Sequence, residues 1–389
     1  MPLQFEHDVL PKPTADEEAR QEFVFSMAQH SMNQIMPGIV SVYEKQVLPE
    51  FKRNEKREPA TRHEIRRSMQ RHPYYQLASS FQRSTQELLW DSVDESIQRQ
   101  LSDLVTKAEQ LTGGETLGNL TLDPEFEIPR YIRDNDHHVM PGGYAADLRT
   151  GDITAGALYD RGAYIFTDGL FGEKMDGVGK SAAQFIRKYY PDIDPQKIID
   201  FGSGMGGPTC ALKEAFPEAE VCGIDVSAAE LRYSHARAES LGVAVHFSQQ
   251  NAERTNFEDG SVDVVVSVTT FHETSRAAVE NIIRDAYRIL KPGGALVVGE
   301  QPPFEGKSPF EQFLADWDTL NNNEPFWSTI HEMDMVAICS KAGFKPEGVF
   351  TSMEQSVAST NAVEANADPD DIVGSDRGGG DFWYFSARK

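Results

Sequence analysis

The chain has 389 residues, and 37 Lys and Arg against 61 Asp and Glu give it a formal net charge of −24. Hydrophobic residues make up 39% of the sequence, which supplies a packed core and excludes a wholly disordered chain. The negative charge opposes contact with a phosphate backbone, so we expect no nucleic-acid partner.

The cysteines and the first residues indicate the compartment. Cys210, Cys222 and Cys339 are too few and too far apart for a disulfide framework or a cysteine-based zinc site. The first ten residues lack the apolar segment of a signal peptide, and no apolar run approaches the ~18–20 residues that span a bilayer. We therefore expect a cytoplasmic protein that has no membrane attachment.

The composition changes near residue 150, which predicts a helical domain with an irregular connector over residues 1–150 and a second domain over residues 151–389. Apolar residues recur every three or four positions from Tyr74 to Leu111 and predict a long helix that ends at Thr112. We expect a kink or turn at Pro37-Gly38. Helices with one apolar face must bury it, which indicates a subdomain or a homodimer surface.

Residues 52–71 form a basic segment in this acidic chain. Such a segment can guide an anionic substrate or dock on an acidic surface of a partner. The three glutamates interspersed in it favour a simpler interpretation, a solvated helix surface that carries salt bridges.

Residues 113–180 are rich in turns, aromatic residues and histidine, and they predict an irregular connector. Irregular segments on a rigid scaffold often carry binding groups, which makes His137, His138 and Tyr144 candidates for contact with a substrate. A metal ion needs three or four converging ligands, and adjacent residues rarely converge on one ion. We therefore predict no metal site.

From about Ala182 onwards, short apolar runs alternate with helical stretches, which predicts βαβ units and a mainly parallel sheet. The Ser-, Asn-, Asp- and Gly-rich stretch of residues 354–381 predicts a mobile loop. The predicted strands cover residues 197–201, 220–224, 243–247, 262–267, 294–299 and 382–387.

The first of these strands runs directly into a glycine turn, Gly202-Ser203-Gly204-Met205-Gly206-Gly207. Glycines at a strand-to-helix turn let a ligand approach the backbone closely. Asp225 ends the second strand, where an acid can accept both ribose hydroxyls of a nucleoside. These two features alone fit NAD as well as S-adenosylmethionine.

Later segments separate the two cofactors. Asp259-Gly260-Ser261-Val262-Asp263, Thr270-Phe271-His272-Glu273 and Arg288-Ile289-Leu290-Lys291-Pro292-Gly293-Gly294-Ala295 follow the glycine turn in order. With that turn they resemble the class I S-adenosylmethionine-dependent methyltransferases over residues 180–350 and the terminal strand. The resemblance implies an α/β fold, Rossmann-like and doubly wound, with a mainly parallel seven-stranded sheet beside the N-terminal helical domain.

The resemblance also implies S-adenosylmethionine as cofactor and S-adenosylhomocysteine as product. In it Asp225 binds the ribose, Val226 packs on adenine, and Asp200 faces the cofactor's ammonium or orders the turn. Asn251 stands where the family usually has an acid, and its carbonyl oxygen can accept the adenine N–H. The implied cofactor contacts are Asp200, Gly202, Ser203, Gly204, Asp225, Val226, Asn251, Ala252, Thr269, Tyr159 and Tyr164.

His272 is the candidate catalytic residue, because it follows the fourth strand at the edge of the implied active site. In related O-methyltransferases a histidine near this place deprotonates the substrate, whereas in many relatives it only packs or forms hydrogen bonds. A base helps when the acceptor carries a proton that it does not lose alone. Glu273 can orient this imidazole, although we expect it to be exposed.

The predicted function is methyl transfer to an O or N atom of a small-molecule metabolite by in-line displacement. Alternatives are transfer to sulfur or carbon, with His272 structural, and a non-catalytic cofactor-binding or scaffold subunit. The intact glycine turn and Asp225 oppose a scaffold, and the Lys291–Gly294 motif opposes an NAD-dependent oxidoreductase. A protein substrate with a basic surface stays open, as does a homodimer through the N-terminal helices.

Overall fold

The computed structural model describes residues 3–355 and 382–389, so the loop predicted over residues 354–381 lies outside the described residues beyond position 355. The helices are α1 (Ala15–His30), α2 (Met36–Val42), α3 (Leu48–Glu55), α4 (Arg62–Met69), α5 (Pro73–Thr112), α6 (Arg130–Arg133), α7 (Thr154–Phe166), α8 (Gly177–Tyr189), α9 (Gly207–Ala215), α10 (Ala228–Ser240), α11 (Arg276–Ile289), α12 (Pro309–Asn321), α13 (Trp327–Ile330) and α14 (Met335–Ala342). The strands are β1 (Leu120–Thr121), β2 (Lys197–Phe201), β3 (Glu220–Asp225), β4 (His246–Gln249), β5 (Val262–Val268), β6 (Leu290–Glu300), β7 (Val349–Glu354) and β8 (Phe382–Arg388).

The strands form one sheet with the order β1-β4-β3-β2-β5-β6-β8-β7. Strands β1 to β6 pair in parallel, and β8 runs antiparallel to both β6 and β7. This topology confirms the predicted mainly parallel, doubly wound α/β fold. The sheet has eight strands within the described residues where seven were predicted. Two-residue β1 is too short to produce a sequence pattern, and β7, at the sheet edge, is half-buried or exposed throughout, with no buried apolar face.

Five of the six predicted strands lie where the sequence placed them. The third, predicted over residues 243–247, begins three residues later than predicted. Val243 ends the turn after α10, where its N–H donates to the carbonyl of Ala238 at 2.9 Å. Val243 and Val245 pack with Leu231 in a small core beside α10. Their apolar character therefore reflects burial before the strand, and β4 begins only at His246.

The central strands β2 and β5 are buried on both faces. Ile199 and Val265 belong to the core on one side of the sheet, and Ile198, Val264 and Val266 belong to the core on the other side. Successive side chains of a strand point to opposite faces, so a strand covered on both faces reads as a continuous apolar run. This burial explains why both strands could be located from the sequence.

The N-terminal helices α1 to α3 form a nearly continuous helical run, so of the kink or turn predicted at Pro37-Gly38 the turn is wrong. A π-helical turn at Ser31–Ile35 directly precedes α2, and a second one at Tyr43–Val47 precedes α3. A wider turn accommodates a proline ring and its missing N–H, so the helix continues past Pro37. The predicted end of α5 at Thr112 is confirmed.

The N-terminal helices share their cores with the second half of the chain. Ile39 and Tyr75 pack in one cluster with Phe313 and Trp317 of α12. The long helix α5 lies against α7 and α10, and β1 extends the sheet next to β4. A division into two domains near residue 150 stays a prediction.

The basic segment of residues 52–71 is partly neutralised by ion pairs. Lys52 pairs with Glu58, Arg57 pairs with Glu64, and Arg62 reaches Asp316 of α12 at 2.7 Å. For Lys52 and Arg57 these pairs agree with the predicted salt-bridged surface, whereas Arg62 is largely buried against α12. Within the described parts of the chain, no helix has both the length and the apolar character that a membrane span requires.

A buried ion pair joins α7 to α10. Asp160 of α7 and Arg237 of α10 are almost completely buried, and Arg237 Nε donates to Asp160 Oδ2 at 3.1 Å. The same carboxylate accepts a hydrogen bond from the Tyr233 hydroxyl at 2.9 Å and lies 3.1 Å from His7 Nε2. Burial raises the pKa of Asp160, but Arg237, His7 and Tyr233 outweigh it and hold that pKa at about 2.

Replacing this carboxylate is expected to destabilise the fold strongly. Asp160→Asn leaves Arg237 buried without a counter-charge, and breaking a buried pair in this way costs about 3–5 kcal/mol. Denaturant unfolding followed by circular dichroism measures the loss. The control is Glu87→Gln, which removes an exposed partner of Arg83 and should cost ~0.5 kcal/mol or less. A loss below ~1 kcal/mol in Asp160→Asn would contradict the assigned role of the pair.

Candidate functional site

The glycine turn after β2 has a backbone that only glycine adopts readily. Gly202, Gly204 and Gly206 have φ angles of +79°, +47° and +82°. A Cβ atom on Gly202 would lie 2.4 Å from the Thr270 side chain, so the turn after β2 and the loop after β5 approach each other closely. Because its glycines carry no side chain, the backbone of the turn stays accessible to a ligand at the carboxyl edge of the sheet.

Asp225 fixes the turn from the end of β3. Its Oδ2 accepts a hydrogen bond from the Gly204 N–H at 3.0 Å, and its Oδ1 accepts one from the Ser227 N–H at 2.9 Å. Burial raises the pKa of this carboxyl. Asp225 therefore holds the turn and also presents a carboxylate edge to the space in front of it.

That space is the glycine-turn cavity, whose volume is about 990 Å³ when the solvent-filled space at its mouth is included. It is lined by the turn, by the ends of β3 and β5 and by the connector. All predicted cofactor contacts except Asp200 and Tyr164 line it, namely Gly202, Ser203, Gly204, Asp225, Val226, Asn251, Ala252, Thr269 and Tyr159.

Tyr164 is a correction, whereas Asp200 agrees with the second of its two implied roles, ordering the turn, and not with contact to the cofactor. Asp200 is 1% exposed and lies beneath the turn, where its Oδ2 accepts a hydrogen bond from the Thr209 hydroxyl at 2.6 Å. It orders the start of α9, and burial raises its pKa to about 7. Tyr164 is 1% exposed in the helical core with Trp90. It follows Tyr159 by five helical positions, roughly 140° around the helix, and so points away from the cavity.

Glu253 organises the far end of the glycine-turn cavity. Its backbone N–H donates to Asn251 Oδ1 at 2.8 Å, and its Oε1 accepts a hydrogen bond from the Tyr131 hydroxyl at 2.9 Å. Asn281 donates to its other oxygen at 2.7 Å. Tyr131 and Asn251 both line the cavity, so this network fixes two side chains of its wall.

A second cavity, called here the Glu324 cavity, adjoins the first and encloses about 650 Å³ including open solvent. Tyr159, Phe171 and Thr269 line both cavities, so the two meet at these side chains. Thr269 has a φ of +54°, which is a strained conformation for a β-branched residue. Strain of this kind is often retained at functional sites.

His272 lies on the wall of the Glu324 cavity and is 4% exposed. Its Nδ1 lies 2.7 Å from Glu300 Oε2, and its ring lies 4.5 Å from the ring of Trp327. Glu300 is itself held by the Phe271 N–H, which donates to its Oε1 at 2.6 Å. Burial lowers the pKa of His272, but Glu300 and the nearby Glu273 outweigh it and raise that pKa to about 9.

Glu273 was expected to be exposed, and the structure corrects this expectation. It is 5% exposed, because the 3-10 turn Phe271–Glu273 directs it beneath the connector. Its Oε1 accepts a hydrogen bond from the Tyr144 hydroxyl at 3.1 Å and lies 3.1 Å from His138 Nε2. Its Oε2 lies 3.5 Å from His137 Nε2. Glu273 thus gathers the three predicted substrate contacts around one carboxylate.

These three residues have different positions. His138 lines the Glu324 cavity, and Tyr144 lines the glycine-turn cavity. His137 is completely buried with its ring 5.7 Å from that of Tyr144, and it lines neither cavity. The expected substrate contact of His137 is therefore corrected to a packing position behind Tyr144.

His138 lies between two carboxylates. Its Nδ1 is 2.5 Å from Glu324 Oε1, and its Nε2 is 3.1 Å from Glu273 Oε1. Burial lowers the pKa of His138, but the two carboxylates outweigh it and raise that pKa well above its usual value. Ligand atoms of these three residues lie within 4.8 Å of one another, a spacing that suits a metal ion. Both ring nitrogens already face carboxylates, so the imidazolium provides the positive charge there.

Sequence reasoning missed Glu300, Glu324 and Trp327. Glu300 ends β6 at the carboxyl edge of the sheet, the same kind of position as Asp225, and this placement was a usable signal. Glu324 and Trp327 lie in the segment that follows α12, and no motif marks them. Tertiary contacts position them: Glu324 lies beside His138 of the connector, and Trp327 packs against the core on one side of the sheet.

The pairing of His272 with Glu300 can be tested directly. Glu300→Gln removes the negative charge beside the imidazolium, so we expect the pKa of His272 to fall from about 9 by at least ~1 unit. Titration by ¹⁵N NMR of histidine-labelled protein measures it, with His272→Gln to assign the signal. Glu305→Gln, at an exposed position outside both cavities, is the matched control. An unchanged titration in Glu300→Gln would show that the two groups do not interact.

Comparison with known proteins gives a match to a family described as "Methyltransferase domain" over residues 198–294. The chain is 38% identical over 109 residues to a demethylmenaquinone methyltransferase of Thermus thermophilus, and the aligned residues make up 28% of this chain and 49% of that protein. It is 27% identical over 151 residues to phosphoethanolamine N-methyltransferase 1 of Arabidopsis thaliana, and the aligned residues make up 37% of this chain and 30% of that protein. The chain thus spans less than half the length of these curated relatives.

Among solved structures, the chain is similar to phosphoethanolamine N-methyltransferase 2 of Haemonchus contortus in complex with phosphomonomethylethanolamine and S-adenosylhomocysteine. The TM-score is 0.41 at 17% identity, and the similarity covers 60% of this chain and 58% of that one.

Proposed function

We propose that this chain, which carries a class I S-adenosylmethionine-dependent methyltransferase domain, transfers the methyl group of S-adenosylmethionine to an O or N atom of a small molecule. The observation that carries the proposal is the junction of two cavities at Thr269, one built on the glycine turn and one lined by His272. A transfer between two bound molecules requires such a junction.

In this proposal the glycine-turn cavity holds the cofactor. Asp225 accepts the ribose hydroxyls, and Val226 and Ala252 pack against the adenine. Asn251 accepts the adenine N–H, with Glu253 holding its amide in place. The turn backbone lies beside the methionine half, which places the sulfonium near Thr269.

The Glu324 cavity then holds the acceptor. Methyl transfer is an in-line displacement, in which the acceptor atom bonds to the methyl carbon as the bond from that carbon to sulfur breaks, leaving S-adenosylhomocysteine. Sulfonium is already activated, so alignment and exclusion of water supply most of the acceleration. Tyr159 and Phe171, which line both cavities, are placed to align the two molecules.

His272 is placed to remove a proton from the acceptor. Glu300 holds Nδ1, which leaves Nε2 as the nitrogen that accepts a proton once the ring is neutral. Because the pKa of His272 is raised to about 9, the free protein holds mainly the imidazolium at neutral pH. An acceptor that loses its proton to His272 should therefore react faster as the pH rises towards 9.

If the methyl group is transferred to sulfur or carbon instead, His272 has a structural role. The pH dependence of the rate distinguishes these alternatives from transfer to an O or N atom. A scaffold function finds no support in the two formed cavities. A homodimer through the N-terminal helices and a cytoplasmic location stay predictions.

The cofactor site is tested by binding. Asp225→Ala removes the charged acceptor of the ribose hydroxyls and two hydrogen bonds that hold the turn, so S-adenosylmethionine affinity should fall more than tenfold. Isothermal titration calorimetry measures it, with Asp225→Asn as a variant that keeps the shape. The control is Asp103→Ala on the exposed side of α5. Unchanged affinity in Asp225→Ala would reject the assigned site.

The catalytic role of His272 is tested with an acceptor identified by isotope-labelled methyl transfer into a metabolite extract. For a hydroxyl acceptor, kcat/KM should rise with pH up to about 9, because the pKa of the free enzyme's base governs it. His272→Gln should lose this rise and roughly 100-fold or more in rate. His63→Gln, an exposed histidine of α4, is the control. Wild-type rates in His272→Gln from pH 6 to 9 would exclude the base role.

A further inference from the structure

Among the residues that the structure describes, those lining the two cavities include carboxylates but no basic side chain of fixed charge. No Lys or Arg is among the described residues that line either cavity. Asp225 and Glu273 line the first cavity, and Asp318 and Glu324 line the second. An anionic group of an acceptor, such as a phosphate or carboxylate, would meet negative charge and no permanently charged partner.

The charges around the Glu324 cavity do not balance. Glu273, Glu300 and Glu324 are each at most 5% exposed, and the imidazoliums of His138 and His272 provide two positive charges for these three carboxylates. His272 pairs with Glu300, and His138 is shared between Glu273 and Glu324. When all three glutamates are ionised, the excess of buried negative charge is costly unless a cation joins it, and without a cation one carboxylate relieves it by taking up a proton.

Glu324 is the carboxylate at which this excess is located. It is 1% exposed and lines the cavity, and among the described residues its Oε2 has no hydrogen-bond partner. Burial and the nearby charge of Glu273 raise its pKa to about 7. A buried carboxylate that faces an empty space with an unused oxygen can accept a hydrogen bond or a cation from a ligand.

Aromatic side chains form much of the remaining wall. Trp90, Phe166, Trp327 and Phe382 line the cavity together with Tyr159. The faces of aromatic rings carry partial negative charge and attract ammonium groups, most strongly where water is excluded. Carboxylate and aromatic rings together form the usual surroundings of an organic cation rather than of a small hydrated one.

We propose that the Glu324 cavity recognises the methyl acceptor through a positively charged ammonium group, held by the Glu324 carboxylate and surrounded by the aromatic wall. This inference rests on the proposed function, since it names the acceptor class of the same site. It opposes recognition through a phosphate or carboxylate, and with it the guidance of an anionic substrate by the basic segment of residues 52–71, which lines neither cavity.

A matched pair of probes tests the charge. Choline and 3,3-dimethylbutan-1-ol have nearly the same shape, but only choline carries a positive charge. Calorimetry on the full chain saturated with S-adenosylhomocysteine should show choline binding at least roughly tenfold more tightly, since an ion contact with the carboxylate and a desolvated cation–π contact each contribute on this scale.

Two variants separate the contributions of carboxylate and rings. Glu324→Gln should reduce choline affinity about tenfold and leave the neutral alcohol unchanged, while Glu305→Gln should leave both unchanged. Phe166→Leu keeps an apolar side chain without a ring face and should weaken choline by roughly threefold. S-adenosylhomocysteine affinity should stay at the wild-type value in all three, which reports that each variant is folded.

The outcomes distinguish this inference from the proposed function. Absence of S-adenosylhomocysteine binding to the wild type would overturn the proposed function itself. Normal S-adenosylhomocysteine binding with equal affinities for choline and the alcohol would overturn only the ammonium inference. Stoichiometric Mn²⁺ binding that is lost in Glu324→Gln and excludes choline would overturn it in favour of a metal site at His138, Glu273 and Glu324.

Discussion

The buried contact between Asp160 and Arg237 is the interaction on which the arrangement of the site depends. Asp160 lies next to Tyr159 on α7, and Arg237 lies on α10, which follows directly after Asp225 at the end of β3. An ion pair without water has a narrow range of favourable geometries, because each departure leaves a buried charge unsatisfied. The pair therefore fixes the helix that carries Tyr159 relative to the strand that carries Asp225. This alignment brings Tyr159 and Asp225 to the wall of the same cavity.

The sheet order provides the second constraint. The chain moves outwards from β2 to β3 and β4 on one side, and to β5 and β6 on the other, so the direction reverses between β2 and β5. The loops that follow these two strands diverge and leave a crevice at such a point. Here the loops are the glycine turn and the strained segment at Thr269. Glycine at position 202 is required because the Thr270 side chain occupies the place of any Cβ.

What the sequence could predict was local. Strand β2, its glycine turn and Asp225 were predictable because each depends on a short run of residues whose burial or backbone angle dictates the residue type. Tyr164 was misplaced because a helix rotates side chains by 100° per residue, and the position of its axis depends on distant contacts with α5 and α10. Glu324 was not predictable at all, since its place in the site depends on a contact with His138 of the connector, far earlier in the chain.

The charge of the acceptor and the protonation of His272 are linked through their shared surroundings. His272 holds its proton because Glu300, Glu273 and Glu324 surround it with negative charge. A positive charge placed beside Glu324 offsets part of that field and therefore lowers the pKa of His272 towards its ordinary value. The imidazole thus becomes a proton acceptor when a cationic molecule fills the cavity, and it stays protonated when the cavity is empty. The acceptor charge that stabilises the buried carboxylates is in this way also the charge that prepares the base.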